Sequence, residues 1–243
     1  MSTERSVAVW DVPTRLFHWS LLALIVVAWF TGEEEGTAAL IHRFAGEAIV
    51  GLIIFRVLWG FVGSEHSRFA DFAAGPSAII AHLRDLMSPQ PKRHLGHNPL
   101  GGVAVFLLLA VIAAITITGL FSEGEGGGGP FAGLWGLELS DWHEPLFRVL
   151  QLLVVVHVLG VIVESWKAKD ALVPAMFSGR KRRRADEPAI DAKRAGVAAL
   201  FIALAAGMLS SFWLMSLPSA NADTGRLYGG SESEEHERRD HDD

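Results

Sequence analysis

The sequence predicts an all-α integral membrane protein: a four-helix transmembrane bundle plus a fifth transmembrane helix. Three observations predict it. Half of the residues are hydrophobic and the mean hydropathy is +0.31. Charges are gathered into short stretches between long uncharged runs, each close to the ~20 residues that a bilayer core requires. Four histidines, His18, His42, His143 and His157, lie on those apolar runs, where ionisable groups are costly and usually functional.

Taken in order, the first span covers residues 16–31, short but dense in Leu, Ile, Val and Trp. Its apolar run is longer than the core of a typical signal peptide and ends in Trp29-Phe30, a poor cleavage context, so a retained helix is expected. The second span covers residues 38–62, the third 99–121, the fourth 145–166 and the Ala-rich fifth 195–217. GEGGGGP, residues 124–130, reads as a flexible loop. Trp29, Trp59, Trp142, Trp166 and Trp213 fall near span ends, as an aromatic belt should. The chain thus divides into a membrane domain (1–179), a basic linker (180–194), the fifth helix (195–217) and a polar, acidic tail (218–243) expected to be disordered.

Loop charges orient the spans. Lys167, Lys169, Arg180, Lys181, Arg182, Arg183, Arg184 and Lys193 lie between spans four and five, and Arg68, Arg84, Lys92 and Arg93 between spans two and three. Glu33, Glu34 and Glu35 follow span one, and Glu123, Glu125, Glu138 and Asp141 follow span three, with no base in either loop. The positive-inside rule then predicts a cytoplasmic N-terminus and an outer C-terminus. The run RKRRR, residues 180–184, reads most simply as a topology determinant touching anionic lipid.

Depth pairs the histidines. His143 and His157 are fourteen residues apart. At ~100° and ~1.5 Å per residue they share one helix face within about 40° and differ in depth by about 21 Å. His42 opens an inward-running span and His18 an outward-running one, so His42 meets His143 near the outer face and His18 meets His157 near the cytoplasm. Each pair joins two different helices, the geometry with which a bundle clamps a planar cofactor. Neutral imidazoles suit the two axial positions of haem b, and two such haems would relay electrons across the bilayer. The chain has no cysteine, which excludes disulfides, thiolate metal sites, iron–sulfur ligation and covalent haem attachment.

Smaller features fit the same reading. Gly46, Gly51 and Gly160 remove side chains where a ring or helix must approach, though plain helix packing accounts for them equally. Arg43 and Arg148 lie beside the outer pair, Arg15 beside the inner one, and Arg56 inside span two; each is a candidate partner for a haem propionate. Snorkelling to headgroups explains Arg15, Arg43 and Arg148 about as well. His66, His82 and His94 fall in a polar loop and are expected to be solvated. His97, in GHNPLGG at the head of span three, is open to three readings: a cap residue, a substitute inner ligand or part of a substrate site.

These residues resemble the bacterial cytochrome b561 and nickel-hydrogenase cytochrome b family, which includes formate dehydrogenase cytochrome b subunits. The matching stretches are VWDVPTRLFHW (9–19), HRFAGEAIVGLIIFRVLWGFVG (42–63), GHNPLGG (96–102) and HEPLFRVLQLLVVVHVLG (143–160). The resemblance implies a bacterial inner-membrane bundle with haem b on His18, His42, His143 and His157, passing electrons between the quinone pool and a redox subunit. It also implies a quinone pocket near the inner haem, bordered here by His97, Asn98 and Gly101. The fifth span and the acidic tail depart from the basic four-helix pattern.

The leading expectation is therefore a dihaem cytochrome b, an electron-transfer subunit rather than a stand-alone enzyme. Its outer partner would be a cytochrome c, a hydrogenase or a dehydrogenase; membrane lipid surrounds it and no nucleic-acid partner is expected. EEHERRDHDD (234–243) would steer a basic cytochrome c or simply solvate the chain end. A single-haem oxidoreductase acting on a small outer substrate is an alternative. A metal-ion transporter is a third reading, with Glu47 and Glu164 as its only intramembrane carboxylates, and ranks lowest.

Overall fold

Among the described residues, five helices are long and apolar enough to cross a membrane: α1 (Val12–Thr31), α2 (Thr37–Val62), α5 (Pro99–Phe121), α6 (Ser140–Lys167) and α8 (Val197–Ser216). They come from a computed structural model that describes residues 6–33, 35–89, 91–123, 128–183 and 190–218. Most of the GEGGGGP loop and nearly all of the acidic tail lie outside the described residues.

α1 and α6 begin four and five residues earlier than the expected spans, at Val12 and Ser140. α1 starts at Val12 because Asp11 caps it, accepting the Thr14 N–H at 2.7 Å, with Pro13 in the first turn. The other Asp11 oxygen accepts Trp59 Nε1 and Ser67 Oγ, each at 3.0 Å, and the Ser64 hydroxyl. One carboxylate thus staples the start of α1 to the end of α2. Trp59 is consequently 2% exposed and belongs to the core rather than to the interfacial belt. α6 starts at Ser140 and carries Pro145 within it, so His143 is helical.

α2 is the centre of the bundle and packs against α1, α5 and α8. Ile49 and Ile53 of α2 meet Ile112 of α5 and Leu150 of α6. Nearer its end, Phe55 and Trp59 meet Phe17 of α1 and Ala203 of α8. α8 approaches α2 closely along a small-residue stripe, Ala203, Gly207 and Ser211, the four-residue spacing that lets membrane helices touch backbone to backbone. A Cβ on Gly207 would sit 2.6 Å from the Gly51 carbonyl, and one on Gly51 would run into Gly207 and Ser211. Gly51 therefore serves this helix crossing.

The loops hold two features absent from the expected pattern. Residues 63–98 contain two short helices, α3 (Phe69–Phe72) and α4 (Pro76–Leu86). α4 is amphipathic and buries His82 to 4% exposure, so His82 is not solvated as expected. The second feature is a two-stranded antiparallel ribbon, β1 (Ser6–Ala8) with β2 (Arg180–Arg182), register Val7 opposite Lys181. The RKRRR run is thus partly structural. Lys181 is 3% exposed and donates to Asp170 at 2.8 Å and to the His94 carbonyl at 3.0 Å. Gly179, at φ +76, turns the chain from α7 (Leu172–Ser178) into β2, where a Cβ would stand 2.7 Å from the Trp10 carbonyl.

Candidate functional site

Two ends of the bundle are distinguished by their loops: an acidic end, after α1 and α5, and a basic end, after α2 and α6. At the acidic end His42 of α2 faces His143 of α6, ring centroids 6.0 Å apart. Each ring is held by its Nδ1. His42 Nδ1 lies 2.9 Å from the Ala28 carbonyl of α1, an acceptor only, so that nitrogen carries the proton. His143 Nδ1 lies 3.0 Å from Thr118 Oγ1, and the Thr118 hydroxyl itself donates to the Ile115 carbonyl at 2.8 Å. The oxygen is therefore the acceptor from His143. Both tautomers leave Nε2 as a free lone pair, the state a metal-ligating imidazole needs.

Glycines make room for these rings. A Cβ on Gly32 would be 3.3 Å from His42 Cε1, and one on Gly119 would be 3.1 Å from His143 Cε1. Sequence reasoning overlooked Thr118, Gly119 and Gly32. The available signal was ITITG, residues 115–119, which puts the two hydroxyl side chains of the span, Thr116 and Thr118, into an otherwise apolar run. Gly46 and Gly160 have nothing within 4 Å of a Cβ position, so both leave open space beside α2 and α6.

At the basic end His18 of α1 lies within electrostatic range of His157 of α6. Here the imidazoles are less engaged. His18 Nδ1 is buried without a hydrogen-bond partner, its ring edge-on to Trp19 at 5.0 Å. Arg15 Nε, Arg56 Nη1 and His97 Nδ1 are likewise buried without a hydrogen-bond partner among the described residues. Arg56 is 2% exposed and lies over the rings of Phe69 and Phe72 at 5.0 and 6.0 Å. Arg15 donates to the Phe177 carbonyl. His97 packs on Phe72 and Trp10, centroids 4.4 and 4.7 Å away. Burial above all, and then the Arg56 cation, push its pKa down to about 3, so it is a neutral imidazole. Asn98 caps α5, accepting the Gly101 N–H at 2.6 Å.

The remaining candidates are engaged elsewhere. Arg43 pairs with Glu47 at 3.0 Å, the carboxylate being 1% exposed, and donates to the Leu217 carbonyl at the end of α8 at 2.8 Å. Ser211 donates to the Glu47 carbonyl, so this pair also docks the fifth helix. Arg148 is exposed and paired with Glu144. Glu164 lies beside His82.

The bundle fits a haem. The backbone of α6 packs most closely on α5 and reaches α1 and α2 through side chains, Leu150 against Ile49 and Ile53 and Phe147 against Trp29, while His143 faces His42. Metal–imidazole bonds of about 2 Å, with about 1 Å more to each ring centre, put two axial imidazoles about 6 Å apart, the separation of His42 and His143.

Comparison with known proteins agrees. Residues 9–179 match the family model of prokaryotic cytochrome b561. A probable Ni/Fe-hydrogenase B-type cytochrome subunit of Rhizobium leguminosarum is 28% identical, covering 73% of this chain and 90% of its own. One from Azotobacter vinelandii is 27% identical, covering 76% and 92%, and the probable Ni/Fe-hydrogenase 1 subunit of Escherichia coli K12 is 23% identical, covering 72% and 91%. No solved structure gives a significant match. The chain belongs to the prokaryotic cytochrome b561 family, as an integral inner-membrane cytochrome b that carries haem b and transfers electrons.

Proposed function

We propose that the protein is a dihaem subunit, with one haem b held by His42 and His143 and a second by His18 and His157. The observation that carries this reading is the facing of His42 and His143, ring centroids 6.0 Å apart, with His157 fourteen residues further along the same helix. Haem supplies one-electron chemistry when bound; the chain supplies ligands, orientation and charge. Arg15 and Arg56 are the propionate partners at the basic end, supported by their unpaired buried nitrogens. Arg43 and Arg148 already meet carboxylates, so a propionate at the acidic end would share them.

The basic end faces the cytoplasm, with the N-terminus inside and the C-terminus outside, on the strength of the loop charges. A quinone exchanges electrons there, in a pocket bordered by His97, Asn98 and Gly101. Neutral, buried His97 with a free Nδ1 offers a quinone oxygen a hydrogen-bonding partner. The outer partner is a hydrogenase, by analogy with the relatives named as Ni/Fe-hydrogenase cytochrome subunits. Membranes holding the intact complex test this. Hydrogen should reduce the haem, a quinone should reoxidise it, and a periplasm-specific reporter fused to the C-terminus should be active. Haem that responds to quinone but not to hydrogen would replace the hydrogenase by another donor; a reporter active only inside would reverse the orientation.

A further inference from the structure

One polar cluster at the basic end is used by neither histidine pair. His82 of α4 points at Glu164 of α6, Nε2 to Oε2 3.5 Å, with side chains 2% and 9% exposed. His82 Nε2 makes no hydrogen bond among the described residues. The His94 ring meets the His82 ring edge-on at 5.3 Å. Asp85 and Lys181 also face His94; Asp85 accepts the Lys92 N–H at 2.7 Å at the loop surface, and Lys181 is committed to Asp170, which Arg93 also binds. Burial first, and His82 second, hold the pKa of His94 below the ordinary imidazole range, which keeps a ring able both to give and to take a proton.

Glu164 is also aligned with His157. Seven residues along α6 return to the same face within about 20°, about 10 Å further down the helix. Gly160 lies between them, and nothing stands within 4 Å of its Cβ position. The strip of α6 from Glu164 toward His157 is therefore not covered by a side chain at that step. As a helix fastener this arrangement is poor: two buried titratable groups with a free nitrogen cost more than the apolar contact that could replace them.

We propose that His94, His82 and Glu164 form a proton path between the aqueous phase at the basic end and a quinone reacting beside the His18–His157 pair. This rests on the quinone reading above. Quinone reduction takes two electrons, exchanged with the haem b carrier, and two protons, which enter here; quinol oxidation sends both the other way. Each imidazole takes a proton on one nitrogen and releases one from the other, which leaves the opposite tautomer; a ring flip restores it before the next transfer, and Glu164 passes the proton on. A positioned acid–base group of this kind contributes on the order of 10²-fold or more.

The test uses the full-length protein with its haem chemically reduced and then mixed with duroquinone or, separately, with ferricyanide, which accepts electrons without protons. Glu164→Gln and, independently, His82→Gln should keep their haem spectra and their ferricyanide rates. Their duroquinone rates should fall at least ~10-fold, and millimolar azide should restore Glu164→Gln. Unchanged duroquinone rates in both variants would overturn the path. So would equal slowing with both oxidants and no azide rescue, which would mark a structural role. A wild-type protein oxidised by ferricyanide but not by quinone would instead sink the quinone reading itself.

Discussion

The histidine pair at the acidic end and the pair at the basic end are finished to different degrees by the polypeptide. His42 and His143 each spend Nδ1 on a fixed acceptor, Ala28 O and Thr118 Oγ1, and each lies against a glycine. His18 has a free Nδ1, and Arg15, Arg56 and His97 each keep a buried nitrogen without a partner. The first pair has its tautomers set by neutral hydrogen bonds before any cofactor arrives. At the basic end buried donors are left over, the kind that an anionic or oxygen-bearing ligand would satisfy. On the dihaem reading proposed above, the acidic end would hold an iron alone, and the basic end an iron together with charged or exchangeable oxygen groups.

This difference can be broken one end at a time. The largest effect expected is from His157→Ala, which should remove one of two haems and leave the spectrum of the other. Loss of both from a folded variant would deny separate sites. Next is Thr118→Val, which keeps shape but strands His143 Nδ1. It should weaken haem retention at the acidic end by about 10–100-fold, with a shifted potential for that haem only. Gly119→Ala should act in the same direction but more weakly, because its Cβ, 3.1 Å from His143 Cε1, asks the ring to yield by a few tenths of an ångström. Redox titration of the two variants checks the order; equal effects at both ends would dissolve the contrast.

A fourth prediction concerns pH. Burial alone would raise the Asp170 carboxyl, but Arg93 and Lys181 together hold its pKa below the ordinary aspartate value. A depressed folded pKa contributes stability that is fully present above the unfolded value of about 3.9 and lost as pH falls through the folded value. Thermal melts should therefore weaken on acidification below about pH 4, and Asp170→Asn should flatten that acid limb. An unchanged limb would remove Asp170 from the account.

The sequence made the five spans legible because a bilayer imposes long apolar runs, and depth alone suggested which histidines meet. It concealed what depends on tertiary contact. Asp11 gives no sign of receiving Trp59, Ser64 and Ser67, some fifty residues away. The β1–β2 ribbon joins three-residue segments too short for any periodicity. α4 was readable in principle from Pro76 followed by Ile79, Ile80, Leu83 and Leu86, yet its polar surroundings suggested a loop. The arginines show the same limit: proximity in sequence offered four propionate partners, while the fold engages Arg43 with Glu47 and α8 and leaves Arg56 buried with a nitrogen to spare.

The most direct measurement is the ratio of haem b to polypeptide in the purified protein, by pyridine haemochrome absorbance against amino-acid analysis. Two haems per chain, falling to one in both His143→Ala and His157→Ala, is the result the two pairs predict. One haem in the wild type, or none lost in either variant, would contradict them.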